Sequence, residues 1–165
     1  MTDKTVLQIE VERFIFEEAA LIDQGRWQAW LEMYAEDMVY WAPSWVNEQE
    51  MTTDPEGEVS IIYMNSRKEL EHRIWRFTSG ESPASYPLPR TNHIISNVRI
   101  LENRKDRIVA ASNWLTQCYR NKEQFLYGGN YEHTLIRGDA GFKISKKKVV
   151  LLNDVVLGYV DVYHL

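Results

Sequence analysis

The side chains able to do chemistry are few and scattered along the chain. Asp23, Asp37 and His93, with Tyr34 or Tyr40, supply carboxylate, imidazole and phenol groups. Lining the inside of one concave fold, they could act as a general acid–base set, because desolvation shifts such pKa values toward neutrality. The plainer structural reading has Asp23 capping between helices and Asp37 opening a strand at the surface. A metal centre built from two histidines and a carboxylate needs convergent ligands. His72, His93, His133 and His164 lie far apart, and no two share helical i,i+4 or strand i,i+2 spacing. No metal, cofactor-binding or catalytic residue is therefore assigned.

Nucleophile and phosphate motifs are also missing. There is no G-x-S-x-G elbow, and Cys118 sits in a strand-like run rather than at a helix N-terminus that would activate it. As the one cysteine it excludes an internal disulfide, an iron–sulfur cluster or a structural zinc site built from several thiolates of this chain, and it reads as a small buried hydrophobe. Gly128-Gly129 lacks the basic residue and helix of a phosphate cradle, and a strand bulge is the expected use. Lys146-Lys147-Lys148 reads as a solvated strand edge.

Whatever these residues do, helices followed by strands must position them. Leu7, Val11, Phe14, Ile15, Leu21 and Ile22 recur at helical spacing over Val6–Gln24, with Glu10, Glu12, Arg13, Glu17 and Glu18 filling most of the other face. Gly25 stops this helix. A short second helix carries Trp27, Trp30, Leu31 and Tyr34; Asp37–Pro43 is a short strand; Ser44–Glu58 is a loop; Val59–Met64 is a buried strand. Ser66-Arg67-Lys68-Glu69 fits a capping box opening a third helix to about Phe77, and Thr78–Pro89 is a second loop.

From Thr91 to His164 only strand-like segments follow, broken at Asn103–Asp106, Asn121–Glu123 and Gly138–Gly141. The expected fold is one α+β domain over residues 1–165, a cone of strongly curved, mostly antiparallel sheet with the N-terminal helices packed in its wide end. A net charge of -5 argues against a nucleic-acid partner. No apolar run is long enough for a membrane span, and MTDKTVLQIEVERF lacks the layout of a secretory signal, so a soluble, cytoplasmic protein is expected. Six Trp and nine Tyr exceed what a small core needs, and aromatics enrich subunit contacts.

Four blocks in order resemble the small (beta) subunit of bacterial aromatic-ring-hydroxylating dioxygenases, in the benzoate, toluate and anthranilate branch. The first runs from Phe16-Glu17-Glu18-Ala19 through Leu21-Ile22-Asp23, Trp27, Trp30-Leu31 and Tyr34 to Asp37. The second holds Thr53-Asp54-Pro55, Glu58, Ser60 to Tyr63, Asn65-Ser66-Arg67, Leu70-Glu71 and Arg73-Ile74-Trp75-Arg76. The third is Arg90-Thr91, His93 and Ile95-Ser96-Asn97-Val98. The fourth is Val149-Val150-Leu151, Asn153-Asp154 and Val160 to Leu165.

The resemblance implies a nuclear-transport-factor-type cone and a chain that is structural, carrying no metal ligand. It implies a large (alpha) subunit partner with a Rieske [2Fe-2S] cluster and mononuclear Fe(II), assembled three with three, and a reductase supplying NADH electrons. The implied reaction adds dioxygen to a benzoate-like acid. The runner-up is a stand-alone, cofactor-free lyase or isomerase of the same cone fold using an interior acid–base pair; a binding protein for small aromatics comes third. Trp41, Trp45, Arg73, Arg76, Arg90, Tyr163 and His164 are the residues expected at subunit contacts, since arginine and aromatic side chains anchor desolvated interfaces.

Overall fold

A computed structural model describes residues 3–138, 141–153, 156 and 158–165. Asp154 of the fourth block, and residues 139 and 140 of the expected turn at Gly138–Gly141, lie outside them. The elements follow in order as α1 (Asp3–Asp23), α2 (Trp27–Glu32), β1 (Tyr34–Pro43), β2 (Ser60–Met64), α3 (Arg67–Thr78), β3 (Arg90–Asn103), β4 (Arg107–Arg120), β5 (Glu123–Gly138) and β6 (Gly141–Leu151). The strands form one sheet ordered β2-β1-β6-β5-β4-β3. Every neighbouring pair is antiparallel except β1 with β6. This is the α+β cone expected from the sequence.

The first helix ends as its sequence predicts. Gly25 takes φ +65°, and Arg26 N–H donates to Leu21 O at 2.9 Å, satisfying a carbonyl the last turn would leave open. The chain then re-enters a short helix, but Tyr34 is not on it: it opens β1, still edge-on to Trp30 at 5.4 Å between ring centroids. The capping box at Ser66 is half made. The Ser66 hydroxyl makes no cap bond, while Glu69 reaches one residue further back to accept from Asn65 N–H at 2.9 Å.

The sheet is bent where its register slips. Irregularities fall between Ser96 and Arg99, where Asn97 has φ 54°, and between Thr134 and Leu135, opposite Lys146 and Ile144. The glycine pair does something other than bulge. Leu115↔Gly128 and Trp114↔Gly129 stay in unbroken register, and a Cβ on Gly129 would lie 1.9 Å from Val150 O. Glycine is needed because β6 crosses so close to β5 there.

Two further expectations are corrected. Lysines 146 to 148 are not at an edge, because β6 lies between β1 and β5; Lys147 is 1% exposed while Lys146 and Lys148 cover the Trp41 ring on the other face. The strands also stop at Leu151, and the chain's last residues are turns rather than strand. Asp161, Val162, Tyr163, His164 and Leu165 all turn back into the cone and are buried.

Burying Asp161 requires compensation for its charge. Arg73 and Arg76 of α3 both pair with it, and the Tyr159 hydroxyl donates to it at 2.5 Å. The core that results is contiguous: Val11 and Ile15 of α1, Trp30 of α2, Met38 and Tyr40 of β1, Leu70 of α3, and Ile108, Trp114, Tyr131, Leu135 and Ile144 of the long strands. Each large aliphatic side chain so buried contributes about 1.5–3 kcal/mol.

Gly129→Ala should destabilise the chain by about 2 kcal/mol or more, since the added methyl must push β5 and β6 apart. Urea denaturation monitored by tryptophan fluorescence measures this; an unchanged midpoint would contradict the close approach.

Candidate functional site

The acid–base residues picked from the sequence do not converge. Asp37 is exposed on β1, and Tyr40 is buried with its hydroxyl 3.5 Å from Leu165 O. Asp23 and His93 do meet. Asp23, at the end of α1, accepts from Thr91 Oγ1 at 2.8 Å and His93 N–H at 2.8 Å, and lies 2.5 Å from His93 Nδ1. Burial works against the charge on Asp23, but the His93 and Thr91 bonds outweigh it and hold the carboxyl below its usual value. The other ring nitrogen of His93 is buried without a partner among the described residues, and its side chain is 1% exposed. An imidazole so enclosed is held as a link between α1 and β3, with no open face for a reacting molecule.

The densest polar cluster is one the sequence reading placed on a solvated face. Glu18 is 1% exposed and points into the cone. Its Oε1 accepts from Tyr34 OH at 2.6 Å, Lys147 Nζ at 2.8 Å and Trp30 Nε1 at 3.3 Å; its Oε2 lies 3.1 Å from His133 Nε2. A carboxylate only accepts, so His133 carries its proton on Nε2. Burial alone would raise the Glu18 pKa, yet the Lys147 ammonium and the His133 bond prevail and hold it well below the usual range. Burial lowers both His133 and Lys147, against the attraction of Glu18. Lys147 also lies 4.2 Å from the centre of the Tyr131 ring.

A signal for this cluster was present in the spacing. Val11, Ile15, Glu18 and Ile22 are all buried on one face of α1, so Glu18 falls on the apolar stripe. Lys147 alternates in step with Val149 and Leu151.

The residues expected at contacts divide by burial. Trp41, Tyr163 and His164 are buried within this chain. Trp45 is half-buried and donates to Leu151 O at 2.7 Å, and Arg73 is half-buried on Asp161. Arg76 and Arg90 are exposed, Arg90 lying 4.7 Å from the centre of the Tyr119 ring. Among the described residues no group of three or more His, Cys, Asp and Glu side chains could hold a metal ion, and no helix is long and apolar enough to cross a membrane. Burial pushes the Cys118 thiol up to about 12, leaving it a neutral floor residue.

These features define a cone-type α+β protein whose buried carboxylates Glu18 and Asp161 are neutralised by its own side chains. The chain belongs to the ring-hydroxylating dioxygenase beta-subunit family: the "Ring hydroxylating beta subunit" profile matches residues 17–158. It is 42% identical over 165 residues, all of both chains, to the small subunit of 2-halobenzoate 1,2-dioxygenase from Burkholderia cepacia. It is 36% identical to the beta subunit of toluate 1,2-dioxygenase from Pseudomonas putida, over 98% of this chain and 99% of that one. The crystal structure of the beta subunit of benzoate 1,2-dioxygenase from Burkholderia mallei superposes with a TM-score of 0.79 at 33% identity, covering 95% of this chain and 96% of the other. The chain is thus the small-subunit component of an oxidoreductase, and the stand-alone lyase or isomerase reading is not favoured.

Glu18→Leu strands the Lys147 charge and should cost about 3–5 kcal/mol; adding Lys147→Met should recover the part due to that charge, while Tyr34, Trp30 and His133 still lack their acceptor. A urea double-mutant cycle reads the difference, and additive losses would contradict the pairing.

Acid should weaken the fold in two stages. His133 and His164 have native pKa values below their ordinary 6.5, His164 pushed down to about 4 by burial against the pull of Asp161. Below about pH 6.5 the unfolded chain therefore binds protons that the native chain refuses, and stability falls by about 1.4 kcal/mol per pH unit per proton. Glu18 and Asp23, held low in the native state, add a second loss below about pH 4.5. Thermal midpoints between pH 7.5 and 4 check this; a flat profile from pH 7 to 5 would contradict it.

Proposed function

We propose that this chain is a non-catalytic assembly subunit of a Rieske non-haem iron dioxygenase that dihydroxylates a benzoate-like aromatic acid in the cytoplasm. The carrying observation is the end-to-end likeness to a small subunit named for 2-halobenzoate, 42% identical with nothing left over on either chain. The interior supports the same reading, since Lys147 and His133 both bond to Glu18, and Asp23 and His93 form a pair of their own.

In this reading a large subunit holds the Rieske [2Fe-2S] cluster and the mononuclear Fe(II), three of each subunit assemble, and a reductase feeds electrons from NADH. This chain contributes surface. Its outer sheet face carries Ile94 opposite Leu115, with Tyr119 and Leu126 beside them, all large and exposed, and Arg90 stacked at one end. A face of exposed apolar side chains with an arginine anchor is what a subunit contact uses. Arg76 offers a second exposed guanidinium, steadied by Tyr159 at 3.0 Å. We place the large subunit on the outer sheet face.

Co-expression with the neighbouring large subunit should give a stable mixed oligomer whose native mass fits three of each. Arg90→Glu with Leu126→Glu should reduce that complex at least tenfold while leaving the isolated chain's thermal midpoint unchanged, since both side chains are exposed. Subunits that purify apart, or dioxygenase activity indifferent to this chain, would overturn the proposal.

A further inference from the structure

At the mouth of the cone, between the loop preceding β3 and the returning tail, lies a half-open cleft of about 320 Å³. Its floor is Cys118, and aromatic rings from two directions form its walls: Phe125 and Tyr127 of β5, and Tyr159 of the tail. Two polar groups face it with hydrogen-bonding capacity left over.

The first is His164. Its Nδ1 accepts from Asp161 N–H at 3.0 Å, so the neutral ring carries its proton on Nε2. That N–H has no acceptor among the described residues. The ring is fixed between Tyr163, 4.5 Å away, and Tyr127, 5.4 Å away, and is only 6% exposed. Burial keeps it neutral near pH 7.

The second is Arg120. It donates to the carbonyls of Pro83 at 3.3 Å, Tyr86 at 3.0 Å and Ala84, which pins the loop that forms one wall. Those bonds use three of five guanidinium N–H groups; Nε is buried without a partner, and one Nη1 N–H remains for a ligand. Carbonyls satisfy donors but do not neutralise charge, and no carboxylate of the described residues pairs with Arg120. The one acid on the lining, Glu123, is exposed at the lip.

A positive charge, a fixed neutral donor and aromatic walls in a space at the small end of ligand-pocket volumes select one chemistry. We propose that this cleft binds a single-ring aromatic carboxylate, its carboxylate between His164 Nε2–H and the Arg120 guanidinium, its ring against Phe125 and Tyr127. The site belongs to the small subunit itself and is accessory to the reaction. It does not rest on the assembly role: an isolated chain that binds the ligand but forms no complex separates the two, and so does the reverse.

The test uses the full-length chain and fluorine NMR of 4-fluorobenzoate, with 4-fluorobenzyl alcohol as the uncharged control. Saturable broadening is expected with a Kd below about 1 mM, and the alcohol should not saturate. His164→Asn places an amide oxygen where Nδ1 accepts from Asp161 but removes the Nε2 donor. It should weaken binding about tenfold or more in a chain that a cooperative thermal transition shows to be folded. Phe125→Leu, which removes a wall and leaves the tail untouched, should also weaken it severalfold and keeps the test open if the histidine variant folds poorly. No saturation up to about 10 mM, equal binding of the alcohol, or unchanged affinity in a folded variant would overturn the proposal.

Discussion

A carboxylate cannot leave water alone without a cost of several kcal/mol, and Glu18 leaves it entirely. Four donors meet it, from α2, β1, β5 and β6, and the carboxylate itself stands on α1. That single group therefore fixes how the first helix sits against both halves of the sheet. The parallel pairing of β1 with β6 brings Tyr34, which opens β1, and Lys147, on β6, to one oxygen atom. An apolar side chain at this position would pack, but it would not specify which strands converge.

The second fixed point is Asp161, where the tail is held to α3 by Arg73 and Arg76. Glu18 and its partners, and the side chains of Val162, Tyr163 and Leu165, are all buried in the interior. A cone fold can host an open reaction chamber, and fold alone does not say whether it does. Here the two buried carboxylates, Glu18 and Asp161, are each held by groups of the chain itself, which fits a part valued for shape and surface within a larger oxidoreductase.

Much of this was legible in the residues and some was not. The helical stripe of α1, the stop at Gly25 and the long alternating strands with Cys118 facing inward each follow from a local rule, and each stands in the structure. Glu18 and Lys147 were misplaced because their types are the commonest surface types, and residue type outweighed position. Their places in the apolar stripe and the strand alternation were the better guide. The meeting of Asp23 with His93, 70 residues apart, and of Asp161 with two arginines of α3 depends on topology that no local pattern encodes. The tail was read as strand because its β-branched and aromatic residues suit one, but its buried carboxylate forces a turn toward α3.

In the non-catalytic subunit proposed above, the interior titratable groups hold the chain together and take no part in the reaction. The direct measurement is oxygen uptake with an aromatic acid by the assembled complex carrying Asp23→Asn and His93→Gln in this chain, with native mass confirming assembly. Turnover within about threefold of the unsubstituted complex is expected. An intact complex that loses a hundredfold or more, as removal of a general acid or base produces, would contradict it.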